Sequence, residues 1–121
     1  MAEQTMPVHA PMDQFVEANG QLQVGGRSLS LLAERVGQTP FYAYHRALLR
    51  ERVVALRAAL PASVKLHYAM KANPFAAVVG FMAGLVDGID VASAGELQVA
   101  LNAGAPAAEI SFAGPAKKAA E

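Results

Sequence analysis

The stretch LHYAMKANP, Leu66 to Pro74, sets Lys71 directly after an apolar, strand-like run. A lysine amine has a reference pKa of about 10.4, and desolvation in an enclosed site lowers it toward nucleophilic competence. An amine held that way can condense with an aldehyde to form a Schiff base. Other polar groups recur at comparable points further on: Asp90 within GIDVAS, and Ser111 to Gly114 in SFAG. Position alone allows a plainer outcome for Lys71, with the stem covering apolar surface and the ammonium in water. That is the commoner fate of such a lysine, and spacing does not decide between the two.

Other chemistry is sparse. The chain has no cysteine, which removes disulfides and thiolate metal sites. His9, His45 and His67 show no metal-ligand spacing, so no metal site is expected. Ten Lys and Arg balance ten Asp and Glu. That balance provides no electrostatic footprint for nucleic acid or an anionic membrane. A hydrophobic content of 54% argues against disorder. Residues 1–20 hold no apolar signal-peptide core. The run Phe75 to Val86 is interrupted by Gly80 and Gly84 and is too short to span a bilayer. The expectation is a soluble, cytoplasmic chain.

The elements that must position these groups follow a regular order. Residues 1–12, with Pro7 and Pro11, read as a flexible leader. After the short run QLQV, SLSLLAERVG reads as a short amphipathic helix capped by Ser28 or Ser30 and stopped at Gly37. TPFYAY is extended. HRALLRERVVALRAAL has helical apolar spacing, with Arg46, Arg50 and Arg57 toward solvent and Pro61 as its stop. SVKLHYAMK predicts a strand, PFAAVVGFMAGLV a helix, GIDVAS a strand, AGELQVALNAG a helix closed by Gly104, and EISFAG a strand. PAKKAAE opens a further helix.

Helices alternating with strands predict βαβ units and a parallel sheet. The α/β fold is either a small open domain or the first three βα units of a (β/α)₈ barrel. Residues 1–40 form a leader and lead-in, and residues 41–121 the start of the barrel. In such sheets functional groups gather at the C-terminal strand ends. Alternation along the first strand puts Lys65, His67, Ala69 and Lys71 on one face and Val64, Leu66, Tyr68 and Met70 on the other. His67 is expected in the barrel interior with nothing to pair with it.

YAMKANP, followed by GIDVASAGELQVALNAG and ISFAGPAKK, resembles the opening of the fold-type III pyridoxal-phosphate decarboxylases. That group comprises the ornithine, arginine and diaminopimelate decarboxylases, with an alanine-racemase-like barrel. TPFYAYHRALLRERV resembles the segment leading into that barrel, so the resemblance covers roughly residues 20–121. Within the group the text is nearest to the decarboxylase-like proteins of exosortase-associated polysaccharide clusters. The resemblance implies that Lys71 forms the internal aldimine with pyridoxal 5'-phosphate and that Ala69 lies against the pyridine ring. It implies that Asp90 and Glu96 are carboxylates near that lysine. Asp90 also reads as a helix cap for the amides of SAGE, and Glu96 as a first-turn acid favoured by the helix dipole. Lys117 and Lys118 read as a solvated pair, though GPAKK could meet an anion at a helix start.

The run ANPFAAVV after Lys71 differs from the AYGHG-like run of alanine racemases and favours a decarboxylase. His45 stands where an aspartate often caps the leading helix. Nothing in the chain matches the family's glycine-rich phosphate loop, its ring-stacking histidine, its acidic partner of the pyridine nitrogen or its C-terminal β-domain. The resemblance therefore implies an N-terminal portion of a longer, homodimeric amino-acid decarboxylase. The alternatives are a racemase and a non-catalytic pyridoxal-phosphate binder. Residues 1–121 alone are expected to bind cofactor poorly, to lack turnover and to self-associate through an apolar inner face.

Overall fold

The computed structural model describes residues 12–115 and Lys118 and divides into two compact units, one ending at His45 and one starting at Arg46. The leader before Met12, Lys117 and the helix expected from PAKKAAE lie outside the described residues.

The first unit is a small antiparallel meander with one helix. Strands β1 (Glu17–Ala18), β2 (Gln21–Val24) and β3 (Arg27–Ser28) pair in that order. Their two-residue turns are Asn19–Gly20, with φ of 54° and 71°, and Gly25–Gly26, with φ of 60° and 73°. Two consecutive positive φ values give the turn twist that matches paired strands, and Asn-Gly and Gly-Gly reach them at little steric cost. QLQV is therefore the centre of a meander. Helix α1 (Leu29–Val36) starts at Ser28, whose hydroxyl accepts from the Leu31 N–H at 3.3 Å, and ends where the Gly37 N–H bonds Ala33 O.

The second unit carries the βαβ rhythm. Helix α2 (Arg46–Ala59) leads to β4 (His67–Ala69), α3 (Ala76–Ala83), β5 (Gly88–Val91), α4 (Ala94–Asn102) and β6 (Ile110–Phe112). The three strands pair in parallel in the order β4, β5, β6, as the alternation of elements predicts. Register aligns Ala69 with Asp90 and Ser111, and Tyr68 with Ile89 and Ile110.

One face of this sheet is apolar. Met70, Val79, Ile89, Val91, Ala100 and Ala105 form its main core, with Tyr68, Leu97, Ile110 and Phe112 packed around them. Met70, Val79, Ile89 and Val91 are fully buried, each worth roughly 1.5–3 kcal/mol by area, an upper figure given a compact unfolded chain. A second cluster joins Val53 of α2 to Val78 and Met82 of α3, with Leu49, Leu66 and Tyr68 around it.

Arg46, Arg50 and Arg57 of α2 are exposed but engaged. The guanidiniums of Arg46 and Arg50 lie 4.5 and 5.6 Å from the centroid of the Phe81 ring. Arg57 donates to Asp87 Oδ2 at 3.0 Å and to Leu85 O at 3.2 Å. That pair keeps the Asp87 carboxyl below its ordinary value of 3.8, helped by the Leu66 N–H, which donates to Oδ2 at 2.7 Å. These bonds tie the entry of β4 to the loop before β5.

Candidate functional site

The strand expected over SVKLHYAMK is shorter than its pattern suggests. Pairing covers only His67–Ala69, and Met70–Ala72 forms a single 3-10 turn. The turn closes where the Asn73 N–H donates to Met70 O at 3.0 Å. Pro74 follows without an N–H, so no ladder bond could be donated there. Lys71 thus sits in the middle of a tight turn just beyond the strand, and strict alternation no longer decides its direction. The turn is anchored on both sides. Before Lys71, the Met70 side chain is fully buried; after it, Tyr68 Oη donates to Asn73 O at 2.8 Å. Asn73 Oδ1 then accepts from the Phe75 N–H at 3.0 Å and leads the chain into α3. Lys71 itself is exposed, and among the described residues it makes no hydrogen bond or ion pair. The turn that holds it packs on β5.

Asp90 is the third residue of β5, directly across from Ala69. The cap role for this carboxylate is not what forms: Ser93 caps α4, its hydroxyl accepting from the Glu96 N–H at 3.2 Å. Ser93 lies at the true helix boundary, whereas Asp90 is still paired within the sheet. Asp90 Oδ1 instead receives two side-chain donors, Ser111 Oγ at 2.7 Å from β6 and His67 Nδ1 at 2.9 Å from β4. The Ser111 hydroxyl, and then the His67 imidazole, hold the Asp90 carboxyl below its ordinary 3.8 against the opposing effect of partial burial. An ionised carboxylate only accepts, so His67 must carry its proton on Nδ1.

The expectation that nothing pairs with His67 is overturned, because parallel register brings His67 diagonally onto Asp90. It is possible only because Gly88, the register partner of His67, has no side chain. A Cβ there would stand 2.6 Å from His67 Cε1 and 2.4 Å from Glu109 O. The imidazole occupies the space that Gly88 leaves open.

The face opposite the helices therefore carries His67, Ala69, Asp90 and Ser111, and the apolar inner face expected there is a hydrogen-bonded polar one. The Asp90 side chain keeps 44% of its exposure and that of His67 27%. Lys65 lies at the entry of the strand, 3.2 Å from Glu109 in an exposed ion pair.

Glu96 has a local task. Its Oε2 accepts from the Ala92 N–H at 2.7 Å, while its own N–H donates to Ser93. This reciprocal arrangement is a capping box displaced by one residue, and Ser-x-x-Glu is its sequence mark. Of the four residues expected at the site, the structure brings Ala69 and Asp90 together as register partners and puts the Lys71 turn against their sheet. Glu96 is held against the segment that follows Asp90. Sequence reasoning missed the His67–Asp90–Ser111 cluster. The signal available was three polar residues in three strand patterns, each at an inward position.

Residues 46–121 match the family described as the pyridoxal binding domain of pyridoxal-dependent decarboxylases. The chain is 39% identical over 99 residues to a diaminopimelate decarboxylase of Aquifex aeolicus, covering 82% of this chain and 23% of that protein. It is 39% identical over 107 residues to the diaminopimelate decarboxylase of Pseudomonas fluorescens, covering 88% of this chain and 26% of that protein. Among solved structures, AQ1208 of Aquifex aeolicus superposes with a TM-score of 0.81 at 37% identity, over 91% of this chain and 27% of that one. A diaminopimelate decarboxylase of M. jannaschi superposes with a TM-score of 0.72 at 28% identity, over 88% of this chain and 26% of that one. The chain spans about a quarter of the length of the curated relatives it matches.

Proposed function

Because the chain belongs to the pyridoxal-dependent decarboxylases, within their pyridoxal-binding domain, we propose that it furnishes the cofactor lysine of an amino-acid decarboxylase. The expectation of three opening βα units of a family barrel holds, since the structure superposes on decarboxylase barrels over their corresponding part. The observation that carries the proposal is Lys71: an exposed amine on an anchored turn at the C-terminal end of a parallel strand. That end of a barrel is where catalytic groups are presented.

The residues present fit pyridoxal 5'-phosphate. Lys71 offers a primary amine to bond the aldehyde covalently. Ala69, whose side chain is a single methyl, leaves room for a flat ring at the strand end. Asp90, ionised and held by two donors, offers an anion to balance positive charge there. Glu96 fixes the loop after β5 and so positions Asp90 more than it acts itself. When bound, the cofactor supplies an electron sink for the pair left behind as a carboxylate departs as carbon dioxide. Lys71 would hold the cofactor covalently through its side-chain amine at the end of β4.

The substrate class is an α-amino acid, and the relatives named diaminopimelate decarboxylase favour a diaminopimelate-like one. The proposed assembly is a homodimer in the cytoplasm. No helix among the described residues is long and apolar enough to cross a membrane. A racemase is the second reading, and the run ANPFAAVV after Lys71 disfavours it.

The test is borohydride reduction of the full-length protein with pyridoxal phosphate, followed by peptide mapping. A phosphopyridoxyl group on Lys71 is expected. Its appearance on Lys65, Lys117 or Lys118 instead would refute the assignment. Carbon dioxide released from meso-diaminopimelate, against inversion of a stereocentre, separates decarboxylase from racemase.

A further inference from the structure

Two side chains outside the proposed catalytic set converge on one oxygen atom. Ser111 Oγ and His67 Nδ1 both reach Asp90 Oδ1, at 2.7 and 2.9 Å, from strands on either side of β5. No described residue donates to Oδ2. An aspartate on an open sheet face turns freely about its two side-chain torsions. Two donors on a single oxygen stop that rotation and leave the other oxygen with a defined direction. The cluster is also built into the backbone, since Gly88 must lack a side chain for the imidazole to lie where it does.

We propose that His67 and Ser111 are positioning residues for Asp90, clamping Oδ1 so that Oδ2 is presented to the positive charge arriving at the strand ends. The proposal rests on the reading of Lys71 as the cofactor lysine. The clamp works through parallel register: β4 supplies an N–H donor, β6 an O–H donor, and β5 the acceptor between them. The charged groups on elements packed against β5 are few. Lys71 stands on the turn after β4, Glu96 is engaged by the Ala92 N–H, and Lys65 and Glu109 pair with each other at the opposite strand end. None of them competes with His67 and Ser111 for Oδ1.

The test uses four variants of the full-length protein. His67→Leu and Ser111→Ala remove one donor each. His67→Asn and Ser111→Thr keep one, since an asparagine amide can stand near the Nδ1 position and threonine retains the hydroxyl. The first pair should lower kcat on meso-diaminopimelate by about tenfold and move KM by less than about twofold, as expected for a charge-linked hydrogen bond felt mainly in the transition state. The same pair should displace the pH midpoint of the cofactor's visible absorption, and the conservative pair should restore most of both. In the cofactor-free protein, imidazole ¹⁵N NMR should show Nδ1 protonated, with the His67 signals shifting on Asp90→Asn.

An unchanged kcat and absorption midpoint in both His67→Leu and Ser111→Ala would overturn the clamp, as would an unprotonated Nδ1. Should His67→Leu fold poorly, Ser111→Ala decides on the same readouts, because Ser111 is exposed. Borohydride mapping keeps the two readings apart. A wild-type adduct away from Lys71 overturns the cofactor-lysine assignment. An adduct on Lys71 in every protein, with kcat and midpoint unaltered, overturns the clamp alone.

Discussion

Replacing Gly88 by alanine adds one methyl group at a crowded point of the parallel sheet. The new Cβ would lie 2.4 Å from Glu109 O, 2.6 Å from His67 Cε1 and 2.8 Å from His67 Nε2. Real Cβ contacts do not come that close, so something has to move. The imidazole can swing aside, but doing so gives up its bond to Asp90. The carbonyl of Glu109 belongs to the backbone that enters β6 and can yield only by shifting that strand. Overpacking of this kind costs about 1–3 kcal/mol. Losing the His67–Asp90 bond adds about 1 kcal/mol, below the roughly 1.5–3 kcal/mol of a bond to a charged group, because the half-exposed carboxylate regains water. The total expected is about 2–4 kcal/mol, read as a lower denaturant midpoint at constant m-value in the full-length protein. In a His67→Ala background the ring is gone and only the clash with Glu109 O remains. The Gly88→Ala penalty should then shrink by about 1 kcal/mol without vanishing, a coupling that a double-mutant cycle measures directly. A Gly88→Ala protein within about 0.5 kcal/mol of wild type would refute this account of the strand crossing.

Two further predictions concern the surroundings of the site. Ser93→Ala removes the N-cap of α4 and the partner of the Glu96 N–H; a loss of about 1 kcal/mol by chemical denaturation is expected, with Ser93→Gly costing only a few tenths. Asp87 and Asp90 are both held below the ordinary 3.8, the first chiefly by Arg57 and the second chiefly by Ser111. A carboxyl depressed in the folded state contributes stability above its unfolded pKa and loses it as pH falls through the folded one. Stability should therefore decline below about pH 4, and Asp87→Asn or Asp90→Asn should each flatten that decline in melts recorded across the acid range.

Much of the architecture was legible in the order of residues. Helical spacing in Arg46–Ala59, short apolar runs at Tyr68, Ile89 and Ile110, and the stops at Pro61 and Gly104 announce βαβ units, because periodicity and chain breakers are local properties. Ser28, one of two candidate caps, the stop at Gly37 and the strand at GIDV are local signals of the same kind. The motif YAMKANP singled out Lys71 through resemblance, where position alone favoured a solvated amine. What the local pattern could not supply was the end of β4. A buried Met70, the bond from the Asn73 N–H to Met70 O and the reach of Tyr68 to Asn73 O turn the chain one residue before the lysine. Those are packing decisions, and alternation along a strand carries no information about them. His67 and Asp90 stand 23 positions apart, and Asp90 and Ser111 21 apart. Only the register of three parallel strands makes them neighbours, and only the missing side chain of Gly88 gives the imidazole room. The sequence by itself determined which residues were chemically capable. Tertiary structure decided which of them meet, because hydrogen bonds between strands join residues that no local rule relates.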